Sequence, residues 1–237
     1  ADNKRWTLIG KPELLEKDKE RTPLKGKKVL ITGGGRGLGA LFARTIAAQH
    51  KPHIVILDII ELNSGSARFA AMSEEELKAY KTGTLWAELK QKMDKATPAI
   101  LEREFTKLKD SAQLYRSVEE LKALGVKVNY YRCDLTDRTS FDTVMNNIKT
   151  DLGVVDGVVH FAGLERSKLV VDKTLEEFFL IFNVKCESAV NMMKSGIVKE
   201  KGFWVMASSI AGKFGNLGQS DYAAASDYMA KLGVSLA

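Results

Sequence analysis

The feature that constrains this chain most lies between Lys28 and Gly39, read Lys-Val-Leu-Ile-Thr-Gly-Gly-Gly-Arg-Gly-Leu-Gly. Val29 to Ile31 is a short apolar run of the kind that suits a strand buried on both faces. Glycines at 33, 34, 35, 37 and 39 then interrupt it, and a segment with helical apolar spacing begins. The order is strand, tight loop, helix start. Glycine lets the backbone pass close to a bulky anion, and the free amides of a helix N-terminus add donors and the positive end of a dipole. The loop is suited to phosphate.

The next residues extend the pattern. Leu38, Leu41, Phe42, Thr45 and Ile46 recur at three and four residues, so the spacing predicts a helix that lays that face on a sheet and ends by His50, ahead of Pro52. His53 to Leu57 form a second β run closed by Asp58. A strand, helix and strand within about 30 residues make a βαβ unit, and a dinucleotide pyrophosphate fits its glycine loop. Asp58 lies 19 residues after Gly39, where an acid accepts hydrogen bonds from the adenosine ribose and repels a 2′-phosphate. Arg36 sits inside the loop, where a cation meets that phosphate. The two residues disagree: Asp58 argues for NADH and Arg36 for NADPH.

With 237 residues the chain can bury one sizeable α/β core, so one domain with an insertion is the simplest reading. Cys133 and Cys186 make neither a disulfide framework nor a metal pattern, which points to a reducing, cytoplasmic setting. The start Ala-Asp-Asn-Lys-Arg lacks an apolar core of signal-peptide length, and no stretch approaches the roughly 18 uncharged apolar residues of a membrane span. Of the net charge of +6, residues 1–28 hold +4, with nine Lys and Arg against five Asp and Glu. The basic residues are not interleaved with aromatics, which argues against nucleic acid. Residues 1–27, with Pro12, Pro23 and a short helical piece over 13–20, read as an N-terminal arm ahead of a domain over 28–237.

From Ser64 to about Arg116 the α/β rhythm stops. Ten basic and eight acidic residues, a Ser73-Glu74-Glu75-Glu76 capping box and Pro98 mark a helical insertion between the second and third strands. The segment from Ala99 through Phe105, Leu114, Val118 and Leu121 becomes the helix that returns to the sheet and ends at Gly125. Val126 to Tyr131 reads as the third strand. Asp134-Leu135-Thr136-Asp137 comes after it, where Asp134 can accept from an adenine amino group and Asp137 can cap a helix from about Ser140 to Asp151. Val154 to His160 is a fourth buried strand, and Ala162 and Gly163 beyond it leave room for a nicotinamide ribose. A helix from about Leu175 to Ser195 carries Phe178, Phe182, Lys185, Ala189 and Met193 on one side. Phe203 to Ala207 is a fifth strand ended by Ser208 and Ser209, and a Gly-rich loop over Gly212 to Gly218 leads to Tyr222 and a last helix. The loop after each strand falls on the carboxyl edge, where open parallel sheets bind ligands. The fold class is α/β, a Rossmann-like doubly wound parallel sheet in three layers.

The spacing Thr32-Gly33-x-x-x-Gly37-x-Gly39 resembles the loop of short-chain dehydrogenases and reductases. From about Lys25 onward the chain resembles the β-ketoacyl reductase, or ketoreductase, domain of multidomain polyketide and polyunsaturated fatty acid synthases. The stretches that carry the likeness are Ala207-Ser208-Ser209-Ile210-Ala211-Gly212, Gly215-Asn216-Leu217-Gly218-Gln219-Ser220-Asp221-Tyr222-Ala223-Ala224-Ala225 and His160-x-Ala162-Gly163. The insertion, with Ala96-Thr97-Pro98, is similar to the polyunsaturated fatty acid synthase type. The resemblance implies catalytic Lys185, Ser209 and Tyr222. Lys185 to Ser209 is 24 positions and Ser209 to Tyr222 is 13. Asn183, two residues before Lys185, is a rival because stand-alone reductases place an asparagine near it. In stand-alone reductases a lysine stands four residues after the tyrosine and in synthase domains an asparagine; here it is Ser226. Two further strands and a substrate lid that the resemblance implies are not within the sequence.

The implied roles are Tyr222 as proton donor to a ketone oxygen, Ser209 as second hydrogen bond and Lys185 as the cation beside the phenol. The implied cofactor-binding set is Thr32, Gly33, Gly35, Arg36, Gly37, Leu38, Gly39, Asp58, Asp134, Leu135, Ala162 and Gly163, with NADPH as the cofactor. The expected activity is NAD(P)H-dependent reduction of a β-ketoacyl thioester on an acyl carrier protein, with other synthase domains as neighbours in a parent chain. Two alternatives are a dinucleotide-binding scaffold with impaired catalysis and a stand-alone NAD-dependent alcohol dehydrogenase.

Overall fold

In the computed structural model residues 24–236 are described, so the helical piece over 13–20 and the two arm prolines lie outside the described residues. Five strands, β1 (Lys28–Thr32), β2 (His53–Asp58), β3 (Val128–Arg132), β4 (Val155–His160) and β5 (Val198–Met206), form one parallel sheet in the order β3-β2-β1-β4-β5. Chain order reverses direction between β1 and β4. In doubly wound sheets this is where a crevice opens for ligand.

The pleat sorts alternate residues to opposite faces, and each face has its own cover. Val29, Ile31, Ile54, Ile56 and Val159 pack with Ala43, Ile46 and Ala47 of α1 (Gly37–His50) and with Leu114, Val118 and Leu121 of α5 (Pro98–Ala123). Leu30, Val55, Leu57 and Val158 pack with Phe141, Val144, Met145 and Ile148 of α6 (Arg138–Leu152). Three layers result, as the apolar runs imply. Thr32 pairs with Leu57 and His160, Asp58 with Arg132, and His160 with Met206, so the strands end at one level. That level is the floor of the site.

The insertion has a core of its own. Helices α2 (Ser64–Ala71), α3 (Glu74–Tyr80) and α4 (Trp86–Lys92) gather Phe69, Leu77, Leu85 and Leu89 against Phe105 and Ala112 of α5. The Ser73–Glu76 capping box forms as expected. Thr97 caps α5, whose 26 residues begin in the insertion core and finish in the sheet core. One continuous helix joins the two.

Four readings need correction. The face that α1 buries is Gly39, Ala43, Ile46 and Ala47, while Leu38 and Leu41 are exposed; small residues bring the helix close to the sheet, and its first turn stands clear of it. β3 starts at Val128, because Gly125, at φ +76°, ends α5 and Val126 turns into the core before pairing begins. β5 starts at Val198, with a bulge where Lys201 takes φ +59° and the register to β4 shifts. The expected helix over 175–195 is α7 (Leu175–Phe182) and α8 (Ser188–Lys194) joined by a π turn over Asn183–Glu187. The Gly-rich loop also holds a short helix, α9 (Ala211–Phe214), before α10 (Ser220–Ser235).

Candidate active site

At the amino end of α1 the glycines place backbone against backbone. A Cβ on Gly39 would lie 2.1 Å from the Gly33 carbonyl oxygen, and one on Gly33 would lie 3.1 Å from the Ala162 nitrogen. Gly37, at φ +53°, faces open space. The first turn of α1 holds no acidic residue and no side-chain cap, so its amides and dipole are available to an anion. These residues fit a dinucleotide pyrophosphate.

The adenosine end is more crowded. Asp58 is buried at the close of β2, its Oδ1 accepting from the Ile60 amide at 3.4 Å. Its Oδ2 lies 3.2 Å from where a Gly35 Cβ would sit, and Leu114 Cδ1 lies 2.3 Å from that same point. Arg36 is paired: its Nη1 is 2.5 Å from Asp110 Oδ1 on α5, and its Nε is buried without a partner among the described residues. Asp134 Oδ1 accepts from the Thr136 amide at 2.9 Å and hydroxyl at 2.7 Å, and Asp137 caps α6 as expected. Leu135 packs on the sheet core.

At the other end the π turn brings Lys185 inward, and π turns of this kind occur at functional sites. Lys185 is 5% exposed; its Nζ stands 4.6 Å from the centroid of the Tyr222 ring and donates to Ser226 Oγ at 3.3 Å. Ammonium, phenol and buried hydroxyl therefore form one cluster. Ser226 belongs to it four residues along α10 from Tyr222, one helical turn away. Ser209 arrives on the turn after β5. Its Oγ accepts from the Ala211 amide at 3.2 Å, and neighbouring Ser208 donates to the Ser226 carbonyl at 2.7 Å. A Cβ on Gly212 would press within 2.6 Å of the Asp227 amide nitrogen, so this turn lies directly on α10. Gly163 is adjacent, its Cβ position 3.8 Å from Lys185 Cδ. Asn183 begins the π turn and is half-buried. Burial pushes the Cys186 thiol up to about 12, and it packs with Ala189, Ala225 and Met229.

Two positioning arrangements carry little local signal in the sequence. His160 is fully buried; its Nδ1 is 2.7 Å from Thr32 Oγ1 and its Nε2 is 2.9 Å from the Lys185 carbonyl. Thr32 Oγ1 also accepts from the Ala162 amide at 3.1 Å, so the hydroxyl donates to Nδ1 and Nε2–H donates to the carbonyl. One neutral tautomer satisfies every group. The other is an ion pair between Lys173 Nζ and Asp221 Oδ2 at 2.6 Å, with side chains 3% and 2% exposed. Asp221 Oδ1 accepts from the Tyr222 amide at 2.8 Å. The only signals for the two were His160 heading its motif and Asp221 preceding the tyrosine.

Known proteins agree with this geometry. The KR domain family matches residues 28–233. The polyunsaturated fatty acid synthase of Thraustochytrium sp. is 27% identical over 224 residues, covering 92% of this chain and 8% of its own length. Polyketide synthase PksL of Bacillus subtilis is 29% identical over 208 residues, covering 87% and 4%. The chain thus spans a small part of the relatives it matches. An N-terminal ketoreductase from a macrolactin assembly line superposes with a TM-score of 0.59 at 23% identity, over 89% of this chain and 34% of that one. NAD+-bound xylitol dehydrogenase gives 0.62 at 18% identity, over 91% and 65%. Sheet order, glycine loop and family match together place the chain in the KR domain family, a ketoreductase branch of the short-chain dehydrogenase/reductase superfamily.

Proposed function

We propose that this domain reduces the β-keto group of an acyl thioester, carried on an acyl carrier protein within a polyketide or fatty acid synthase, to the β-hydroxyacyl form. The observation that carries the reading is the cluster of Lys185, Tyr222 and Ser226 beside Gly163 at the sheet edge. When bound, the reduced nicotinamide supplies hydride to the ketone carbon. Negative charge then develops on the oxygen, which needs a donor and a proton. Tyr222 gives the proton. Ser209 uses its amide bond to Ala211 as acceptor only, which leaves its hydroxyl hydrogen for the same oxygen. Lys185 stabilises the phenolate that remains, and Ser226 holds the ammonium in place.

The synthase context is supported by the relatives, each a multidomain synthase. In the test, purified protein receives NADPH or NADH and either a β-ketoacyl thioester or a decalone as surrogate ketone. Cofactor oxidation well above that of Tyr222→Phe is expected; none above it would overturn the reading. The scaffold alternative rests on Ser226 standing where a longer side chain is usual. Tight dinucleotide binding without turnover would favour it.

A further inference from the structure

We propose that Asp110, on the helix that ties the insertion to the sheet, acts as a selectivity gate: it engages Arg36 and biases the site toward NADH over NADPH. This rests on the dinucleotide reading above. Arg36 is the only charged residue between Gly33 and Gly39, and it is the group that would meet a 2′-phosphate. In the structure it is committed to Asp110 at 2.5 Å, with side chains 34% and 23% exposed.

Asp110 is held in place by its own helix. Leu114, one turn further along α5, is fully buried and packs onto Gly35 and the sheet core. Asp58 presents Oδ2 to the same glycine. Two carboxylates and one guanidinium therefore surround Gly35. The next cation, Arg132, lies 3.6 Å from Glu61 Oε2 and donates from Nε to the Ile59 carbonyl. A 2′-phosphate, carrying nearly two negative charges, would have to displace Asp110 from Arg36 and then face both acids. A 2′-hydroxyl needs no such exchange; it donates to Asp58. In the sequence Asp58 and Arg36 stand in conflict, and the insertion resolves it by occupying the arginine.

The test is direct binding, by calorimetry or nicotinamide fluorescence, of NADH and NADPH to wild type, Asp110→Asn, Asp110→Ala and the double variant Arg36→Gln/Asp110→Asn. Wild type is expected to bind NADH more tightly. Either Asp110 variant should tighten NADPH about tenfold, the scale of one charge-assisted hydrogen bond, and change NADH less than about twofold. The gain should vanish in the double variant. Unchanged or weakened NADPH binding in both single variants would overturn the gate, since Asp110 would then be orienting Arg36 for the phosphate. Loss of both dinucleotides from folded single variants would make Asp110 a structural brace and overturn it too. Failure of wild type to bind either dinucleotide would overturn the dinucleotide reading itself, and the gate with it.

Discussion

At His160 the imidazole is enclosed between Thr32 and the Lys185 carbonyl, and burial pushes its pKa down from 6.5 to about 4, with the Lys185 charge acting in the same direction. The unfolded chain therefore binds a proton between these values that the folded chain does not. Stability should be full above about pH 6.5 and fall as pH drops toward about 4, by up to about 3 kcal/mol from this residue. Thermal melts near pH 7 and near pH 5 would show it. His160→Gln should be less stable at neutral pH yet lose less on acidification, and an equal loss in both proteins would contradict the assignment. The motif holding His160 was legible in the sequence. Its role was not, because its partners lie 128 and 25 residues away. The same separation hid Asp110, which meets Arg36 through the fold of the insertion. Tyr222 and Ser209 were legible because the stretch around them keeps its residue types at fixed spacing.

Among the elements, α10 and the segment after β4 are joined by the buried Lys173–Asp221 pair. Lys173 Nζ also donates to the Arg166 carbonyl at 3.2 Å and the Gly218 carbonyl at 3.4 Å, and the Lys168 amide donates to the Gly218 carbonyl at 2.9 Å. Removing one charge strands the other in the interior, at about 3–5 kcal/mol, whereas removing both need not. Lys173→Met and Asp221→Leu should each lower the melting temperature sharply, and the double variant should be closer to wild type than either. Additive losses would contradict this. Helix α5 is the other joint. Leu114→Ala should cost about 2–5 kcal/mol, measured by denaturant unfolding, and a loss under about 1 kcal/mol would show that α5 does not anchor the glycine loop. The strands and capped helices were readable because burial on two faces and caps leave local signals. The π turn was not, since it changes the hydrogen-bond count per turn and leaves the apolar spacing nearly helical. The bulge that lengthens β5 had no signal beyond Gly202.

For the molecule as a whole, a parallel sheet aligns five strand ends at one level, and the chemistry assembles from segments that share only that edge. The glycine loop and Asp58 lie over β1 and β2; Lys185, Ser209 and Tyr222 arrive from beyond β4 and β5. The insertion adds a second small core and meets the dinucleotide end through α5. Among the described residues no helix is long and apolar enough to cross a membrane. The α/β rhythm foretold the sheet because each apolar run had to be buried on both faces, but contacts between the insertion and the loop depend on packing that no short stretch encodes. The central claim is that Tyr222 acts on the substrate oxygen and not on cofactor binding. The most direct measurement compares dinucleotide Kd and single-turnover reduction rate for wild type and Tyr222→Phe. A Kd within about twofold and a rate lower by about 10²–10⁴ are expected, the range of a positioned general acid. An unchanged rate in the phenylalanine variant would contradict the account.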